Sequence, residues 1–331
     1  MYNVESLAAY IGIPVPAAWE RCYEPAMAQY DPEWLNKLDF DAIMDYYRFP
    51  EEFYRDRLHR ELAVFAEDET LNRICWLIHY ILLYGSNEDI LNVWTWSKTP
   101  FAEHGSPTLC VVALLAGQAF HAQTIAQCGY DEWQAEYSRN SVRNCWIGQR
   151  ARGVDGVSFN LMVWGAYYVR GYLVRLGRLN YEFGLKQKHE YAQRFGDDAA
   201  YIYLHIPTAD NGLQDDEVAE SLRMAREKLD IYFPETAGKK KIFAVRTWLL
   251  GPELREMLKP DSNIIKFQDR FEITDFYEGT YSYVSNVFKI NTPLDQIDFN
   301  TLPEDTSLQR AIKERLLRGE RFRNGVGYIK D

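Results

Sequence analysis

Apolar residues in the first part of the chain recur every three to four positions, which is the spacing of one face of an α-helix. One such stripe covers residues 58–66, and the run from Leu71 to Leu83 is broad enough to indicate a buried helix. Thr70 before this run is a predicted N-cap, and Gly85 after it is a predicted stop. Residues 1–140 are therefore predicted to form an all-helical N-terminal domain.

The pattern changes in the second half of the chain, where apolar and polar residues alternate. Tyr172–Gln187 and Ala200–Pro207 have the period of two that predicts strands, and a turn-rich loop follows the proline. Acidic residues then open a helix predicted over Asp215–Tyr232, as the positive end of a helix dipole favours. A third strand is predicted over Lys241–Leu250.

Further elements continue the mixture of helices and strands. A short helix is predicted over Glu253–Leu258, strands over Asn263–Ile273 and Val284–Ile290, and a final helix over Thr306–Arg318. This order lacks the regular alternation of a doubly wound sheet. The fold class is therefore predicted as α+β, with a mixed sheet and flanking helices over residues 141–331.

Composition narrows the functional classes. The formal net charge of −11 argues against nucleic acid as a partner, because a duplex-binding surface needs basic residues. The N-terminus lacks the basic and apolar regions of a signal peptide, and the most apolar stretches are shorter than the ~20 residues that span a bilayer. We therefore expect no membrane association and a cytoplasmic location.

Motifs for several kinds of site are missing from the sequence. The five cysteines are scattered and contain no CxxC pair, so neither a structural zinc site nor a redox dithiol is indicated. HExxH, GxSxG, the P-loop and a GxGxxG after a strand do not occur either. We expect no metal site.

A series of short segments carries a resemblance to a known family. The chain resembles bacterial acyltransferase-domain-containing proteins, which have a helical N-terminal domain and a GNAT-like C-terminal acyltransferase domain. The matching segments are Val174–Glu182, His205–Pro207, Ser221–Leu222 with Ala225, Thr247–Leu250, Ser262–Ile264 with Phe267, Leu302–Pro303 and Thr306–Ala311.

The resemblance implies a fold, a cofactor and a place to bind it. In a GNAT-like sheet a central strand splays from its neighbour, and acyl-CoA, by default acetyl-CoA, lies in the cleft. The next helix directs its free amides at the pyrophosphate of the cofactor. The corresponding residues here are Ile206, Asn211, Gly212 and Leu213. Well-studied members carry Gln/Arg-x-x-Gly-x-Gly/Ala in this loop, whereas residues 208–216 contain one glycine and several acids.

Three residues are candidates for the chemistry of acyl transfer, which needs a base and a polarised thioester. Glu182 is the first candidate base if it shares a strand face with Asn180, and a solvent-facing carboxylate is the alternative. His205 ends the predicted central strand and titrates in a useful range, although a packed histidine is the alternative. Thr247 offers a hydroxyl in mid-strand. Arg175 and Arg178 flank a glycine in a predicted strand, and both are weighed as ligands for an anionic acceptor, against ordinary surface ion pairs.

The functional hypothesis is a transferase that moves an acyl group from acyl-CoA to an amine by direct transfer in a ternary complex. The acceptor is a small molecule or a peptide, and the oligomeric state is open. The acidic loop keeps an alternative open, a non-catalytic ligand-binding or interaction protein that retains the GNAT-like fold. In a further alternative the helical half is the working part and binds a partner.

Overall fold

The computed structural model describes residues 2–49, 52–92, 108–150, 159–183, 194–196, 198–207, 212–278, 282–290, 292 and 294–330. The chain divides into two compact units, residues 1–174 and 175–331. The first is helical, the second combines helices with most of a sheet, and the predicted α+β class is confirmed.

The first unit is built from helices, as predicted. Their bounds are α1 Val4–Tyr10, α2 Ala17–Met27, α3 Phe40–Tyr46, α4 Glu52–Glu67, α5 Glu69–Tyr84, α6 Asn87–Asn92, α7 Leu109–Leu115, α8 Gln118–Gln127, α9 Glu132–Arg150 and α10 Phe159–Val169, with a short 3₁₀ helix at Leu35–Lys37.

Helix α5 is the most buried long helix of this unit, as its broad apolar stripe predicts. Its N-cap is Asp68 rather than Thr70, because the Asp68 carboxylate accepts hydrogen bonds from the amides of Thr70 and Leu71. Gly85 is the C-cap, as predicted. An aspartate two residues upstream thus caps the helix, which places Thr70 inside its first turn.

The predicted boundary between residues 140 and 141 falls inside α9, which runs without a break to Arg150. The following helix α10 packs against α9 and α7. The first compact unit consequently extends to residue 174.

One bent pair of helices, among the residues that the structure describes, has the length and composition to span a membrane. Among the described residues, no single helix has the length and apolar character needed to cross a bilayer. The pair Leu109–Leu115 and Gln118–Gln127, bent by 41°, meets the criteria only when the two helices are taken together.

The C-terminal part of the chain contains six strands and the remaining described helices. The strands are β1 Leu173–Leu176, β2 Leu179–Phe183, β3 Ala200–His205, β4 Lys241–Thr247, β5 Phe271–Glu278 and β6 Arg323–Ile329. The helices are α11 Asp215–Tyr232, α12 Glu253–Met257, α13 Asn263–Asp269, α14 Ser282–Phe288 and α15 Ser307–Leu317, with 3₁₀ turns at Pro234–Thr236, Trp248–Leu250, Leu294–Gln296 and Phe299–Thr301.

The strands form one mixed sheet in the order β1-β2-β3-β4-β6-β5. Strands β3 and β4 are parallel, and their neighbours β2 and β6 run antiparallel to them. Strand β6 lies in the sheet between β4 and β5, yet its glycine-containing sequence gave no strand signal. Gly325 and Gly327 are needed there, because a Cβ atom would lie 2.6 Å from the Leu250 Cβ and 2.7 Å from the Glu272 carbonyl oxygen respectively.

Two predicted strands are wrong. Most of Asn263–Ile273 is helix α13, which the Ser262 hydroxyl caps by accepting from the Ile265 amide. Val284–Ile290 is largely helix α14, whose Tyr283, Val284 and Phe288 are buried in an apolar cluster with α15. Short apolar runs have no periodicity that separates a strand from a buried helix, and here packing against α15 decides.

The predicted strand Tyr172–Gln187 is instead a hairpin within its described residues. Gly177 has a φ of +60°, in the left-handed region that glycine adopts without strain, and it turns the chain between β1 and β2. The hairpin places β2 beside β3, so that residues of the two strands lie opposite one another.

Candidate active site

Backbone pairing between the two parallel strands ends before the strands themselves end. Backbone pairing joins Ala200–Tyr203 of β3 to Lys241–Ala244 of β4, and it stops there. The ends of the strands, Leu204–His205 and Val245–Thr247, are not paired with each other. This loss of pairing is a gap in the ladder at the carboxyl ends of β3 and β4, the part of an α/β sheet where ligands commonly bind.

Glu182 and His205 meet beside this gap. In the antiparallel register of β2 and β3, Glu182 lies opposite Tyr203, and Asn180 lies opposite His205. All four residues therefore share one face of the sheet, as predicted for Glu182 and Asn180. The Glu182 Oε2 and His205 Nε2 atoms are 2.6 Å apart, a short hydrogen bond.

The environment of this pair differs between its two members. The side chain of Glu182 is 1% exposed and that of His205 is 19% exposed. Burial raises the pKa of the Glu182 carboxyl, and the hydrogen bond and charge of His205 act in the opposite direction. The Tyr203 ring packs edge-on against the imidazole at 5.1 Å between centroids. A buried carboxylate thus orients a histidine that is accessible from outside, an arrangement suited to proton transfer.

The start of α11 lies after the carboxyl end of β3. Ile206 directly follows β3 and is half-buried, Leu213 is buried, and Gly212 is exposed with a φ of +74°. Asn211 lies outside the described residues. Within the described part of the chain, the amides of Gly212, Leu213, Asp215 and Asp216 donate to no internal acceptor. Such amides at a helix start can bind an anion.

The acids of the first turn differ in their contacts. The Asp215 carboxylate turns to Arg270, with 2.5 Å between Asp215 Oδ1 and Arg270 Nη2. Asp216 Oδ1 accepts a hydrogen bond from the Glu217 amide at 3.0 Å. One acid is therefore neutralised by an arginine, whereas Asp216 places a negative charge at the helix start.

Thr247 lies at the end of β4, on the other side of the gap. Its hydroxyl oxygen accepts the Leu249 amide at 3.2 Å and so caps the 3₁₀ turn Trp248–Leu250. No contact joins Thr247 to Glu182 or His205 among the described residues. Its observed role is to shape the end of the strand.

Sequence reasoning missed how the hairpin is fastened to α11. The hydroxyl of Ser221, which is fully buried, accepts from the Leu179 amide and donates to the Leu176 carbonyl, and it contacts the Tyr181 hydroxyl at 2.9 Å. Ser221 belongs to the segments that carried the family resemblance, but a serine in an amphipathic helix gives no sign of these bonds.

The comparisons with known proteins agree with this geometry. Residues 173–329 match the family described as GNAT-like C-terminal domain. The match covers a little under half of the chain. It confirms the predicted GNAT-like domain, in which the two parallel strands and the following helix are β3, β4 and α11. A search of curated proteins found no match.

Solved structures share the fold of the chain that carries this GNAT-like domain. One is an acyltransferase in complex with decanoyl-CoA and teicoplanin, at 20% identity and a TM-score of 0.72. Another is an acyltransferase in complex with CoA and 10C-teicoplanin, at 21% identity and a TM-score of 0.73. A third is an acyltransferase in complex with decanoyl-CoA, at 22% identity and a TM-score of 0.65. Each similarity covers 99% of this chain and 99% of the other.

Proposed function

We propose that the protein is an acyltransferase that moves an acyl group from acyl-CoA to an amine in a ternary complex. The observation that carries the proposal is the Glu182–His205 pair, which lies beside the gap between β3 and β4. The pair supplies a candidate base next to the place where we propose that the acyl-CoA thioester lies.

The residues of the pair have different roles in the proposed reaction. With Glu182 ionised, its carboxylate accepts a hydrogen bond from the N–H group at His205 Nε2 and so fixes the tautomer of the ring. His205 Nδ1 is then the atom that takes a proton from the attacking amine. The amine nitrogen forms a bond to the thioester carbonyl carbon, and the carbon–sulfur bond breaks. The leaving thiolate takes the proton from the His205 imidazolium and departs as CoA, which returns the imidazole to its neutral form.

Glu182 acts through His205 rather than on the substrate. The imidazole becomes a cation when it takes the proton, and a carboxylate 2.6 Å from Nε2 stabilises that cation. Burial strengthens this interaction because few water molecules compete for the carboxylate. The raised pKa of Glu182 is the cost of holding a carboxylate there for this role.

The start of α11 is the proposed site for the pyrophosphate of the cofactor. The amides of Gly212, Leu213, Asp215 and Asp216 supply donors and the positive end of a long helix, without basic side chains. Gly212 also leaves space, because a Cβ atom added there would meet no heavy atom within 4 Å. With Ile206 at the end of β3, these residues fit a bound diphosphate.

The length of the acyl chain and the identity of the acceptor are proposed from the ligands of the similar structures. Two of the solved acyltransferase structures hold decanoyl-CoA, and one of these also holds teicoplanin, a glycopeptide. For this chain we propose an acyl-CoA donor, of acetyl or longer chain, and a small-molecule or peptide amine as acceptor. Because the fold is similar to that of acyltransferases with decanoyl-CoA bound, long-chain acyl-CoA compounds should be tested together with acetyl-CoA.

One observation favours a second candidate, a non-catalytic ligand-binding protein that retains the GNAT-like fold. Asp216 directs a carboxylate to the Glu217 amide at the start of α11, where an anionic cofactor would be repelled. In this alternative the site binds an uncharged or cationic ligand, and CoA does not bind.

Calorimetric titration separates the two candidates. The full chain is titrated with CoA, acetyl-CoA, octanoyl-CoA and decanoyl-CoA, and with pantetheine as the probe that lacks the diphosphate. The transferase proposal predicts binding of at least one CoA compound, and release of free thiol when a panel of amines is added. Failure of every CoA compound to bind overturns the proposal and leaves the non-catalytic alternative.

A further inference from the structure

Arg178 has an unusual position for a charged residue. It lies in the turn between β1 and β2, and it is only 7% exposed. Its Nε donates to the carbonyl oxygen of Gly212 at 2.9 Å, and its Nη1 donates to the carbonyl oxygen of Pro207 at 2.7 Å. Both partners are backbone atoms, so this arginine neither holds an anionic acceptor nor forms an ordinary surface ion pair through these nitrogens.

The two carbonyl groups lie at opposite ends of one loop. Pro207 follows β3, and Gly212 precedes α11 by three residues. Because the donors of a guanidinium are held in one plane, a single side chain fixes the positions of both loop ends. Arg178 thereby determines where the chain leaves the sheet and where it enters the helix.

The turn that carries Arg178 is itself fastened to α11. Ser221 bonds the backbone on both sides of the turn, at Leu176 and Leu179. Gly177 brings the turn close to the helix, since a Cβ atom there would lie 3.5 Å from Ser221 and Met224. The Arg178 guanidinium and the first turn of α11 therefore belong to one rigid arrangement.

Helix α11 begins without a side-chain cap from its N-cap residue, Gln214. The Gln214 side chain instead accepts from Asn263 Nδ2 at 3.0 Å. Arg270 holds Asp215 through its carbonyl oxygen and its carboxylate. The bond from Arg178 to the Gly212 carbonyl fixes the peptide group that carries the Leu213 amide.

We propose that Arg178 is a positioning residue of the cofactor site, and that it holds the amides at the start of α11 where they bind the diphosphate of CoA. The inference rests on the proposed function. It gives Arg178 a role through the backbone, with no contact to the reacting atoms. The positive charge of the buried Arg178 side chain also offsets part of the negative charge that Asp216 places at the start of α11.

The test compares a ligand that contains the diphosphate with one that lacks it. Dissociation constants are measured for CoA by calorimetry and for pantetheine by ligand-observed NMR, in the full chain and in Arg178→Gln and Arg178→Lys. The matched control is Arg223→Gln, which removes an exposed arginine that pairs with Glu220 and Glu227 on the same helix.

The expected result is a diphosphate-specific loss. In Arg178→Gln the dissociation constant for CoA rises about tenfold, as expected when a charge-assisted hydrogen bond is lost. Arg178→Lys gives an intermediate value, because lysine keeps the charge but not the planar pair of donors. Pantetheine binding stays within about twofold in all variants, and Arg223→Gln binds CoA like the unchanged chain.

Other outcomes overturn the inference. Equal weakening of CoA and pantetheine shows a general structural role, and unchanged CoA binding shows no role at all. If Arg178→Gln does not fold, Arg178→Lys decides by the same comparison. If the unchanged chain binds pantetheine but not CoA, or binds neither, the proposed function itself fails and the role of Arg178 fails with it.

Discussion

At the scale of single residues, Glu182 is the side chain whose replacement tests the chemistry most directly. Glu182→Gln keeps the size of the side chain and a hydrogen bond to His205, but it cannot stabilise an imidazolium cation. We expect the rate of acyl transfer to fall by about 10²-fold or more, as for loss of general acid–base assistance. The midpoint of thermal unfolding stays nearly unchanged, because a buried neutral amide costs less than a buried carboxylate.

The pH dependence of the rate adds an independent measurement. Because the pKa of Glu182 is raised by burial, the rate in the unchanged chain rises with pH as this carboxyl ionises. That limb of the profile disappears in Glu182→Gln. The control is Glu272→Gln on β5, where the exposed carboxylate pairs with Arg194 and lies outside the candidate site. A Glu182→Gln variant with full activity contradicts the assigned role.

Two buried histidines of the helical unit predict acid sensitivity. Burial lowers the pKa of His79 to about 4, against the opposing effect of the Ala113 carbonyl that its Nδ1 contacts. Burial, with a smaller effect of Arg139, lowers the pKa of His121 to about 3. Both rings are neutral in the folded state, whereas the unfolded chain binds protons below about pH 6.5. Their contribution to stability is therefore complete above that pH and is lost as pH falls.

The size of this effect can be measured by urea unfolding. At pH 5 each histidine lowers the free energy of unfolding by about 2 kcal/mol relative to pH 7.5. His79→Asn keeps a donor for the Ala113 carbonyl and removes the titrating ring, so we expect a smaller loss between these two pH values. If the free energy of unfolding of His79→Asn falls as much between pH 7.5 and pH 5 as that of the unchanged chain, His79 does not cause the loss of stability.

At the scale of secondary structure elements, a negative charge at the start of α11 stabilises the helix but weakens the binding of an anionic ligand there. Asp216→Asn removes a negative charge from the first turn, which weakens the helix by about 0.3–1 kcal/mol. The same change removes repulsion of a bound diphosphate, so CoA affinity rises roughly two- to fivefold. Calorimetry and thermal unfolding measure the two effects. Glu220→Gln, further along the helix, is the control, and equal or weaker CoA binding in Asp216→Asn argues against a diphosphate there.

The attachment of the β1–β2 hairpin to α11 is a second feature at this scale. Ser221→Ala leaves the Leu179 amide and the Leu176 carbonyl without their buried partner. We expect the free energy of unfolding to fall by about 1–3 kcal/mol. Ser285→Ala removes a half-buried serine hydroxyl that donates to the Ser282 carbonyl, a contact within one helical turn. It serves as the matched control with a loss below about 0.5 kcal/mol. Similar losses in both variants contradict the importance of the Ser221 bonds.

Elements with a strong local signal were predictable from sequence, and those decided by distant contacts were not. Helix α11 has the predicted bounds because acids open it and an apolar stripe follows. Strand β6 was missed because its glycines are required by the close approach of Leu250 and Glu272, which are far away in sequence. Glu182 and His205 were individually predictable as candidates, but their 2.6 Å contact depends on the register between β2 and β3.

At the scale of the whole molecule, net charge sets how an anionic ligand approaches. The chain carries a formal charge of −11, and CoA is also strongly negative, so their long-range interaction is repulsive. Backbone amides at the start of α11 act only at short range. A cofactor site of this kind differs from one built on basic side chains, which attracts anions from a distance and weakens in salt.

This difference predicts an inverse salt dependence of association. When ionic strength rises from about 0.01 M to 0.15 M, the screening length shortens from about 30 Å to 8 Å, and the repulsion between the chain and CoA is reduced. We expect the association rate constant for CoA, measured by stopped-flow fluorescence, to rise by a few-fold over this range. Pantetheine, which carries no phosphate charge, provides the control and shows no such dependence. A fall in the CoA rate constant with salt shows instead that basic side chains attract the cofactor, and it argues against the amides of α11 as its main binding groups.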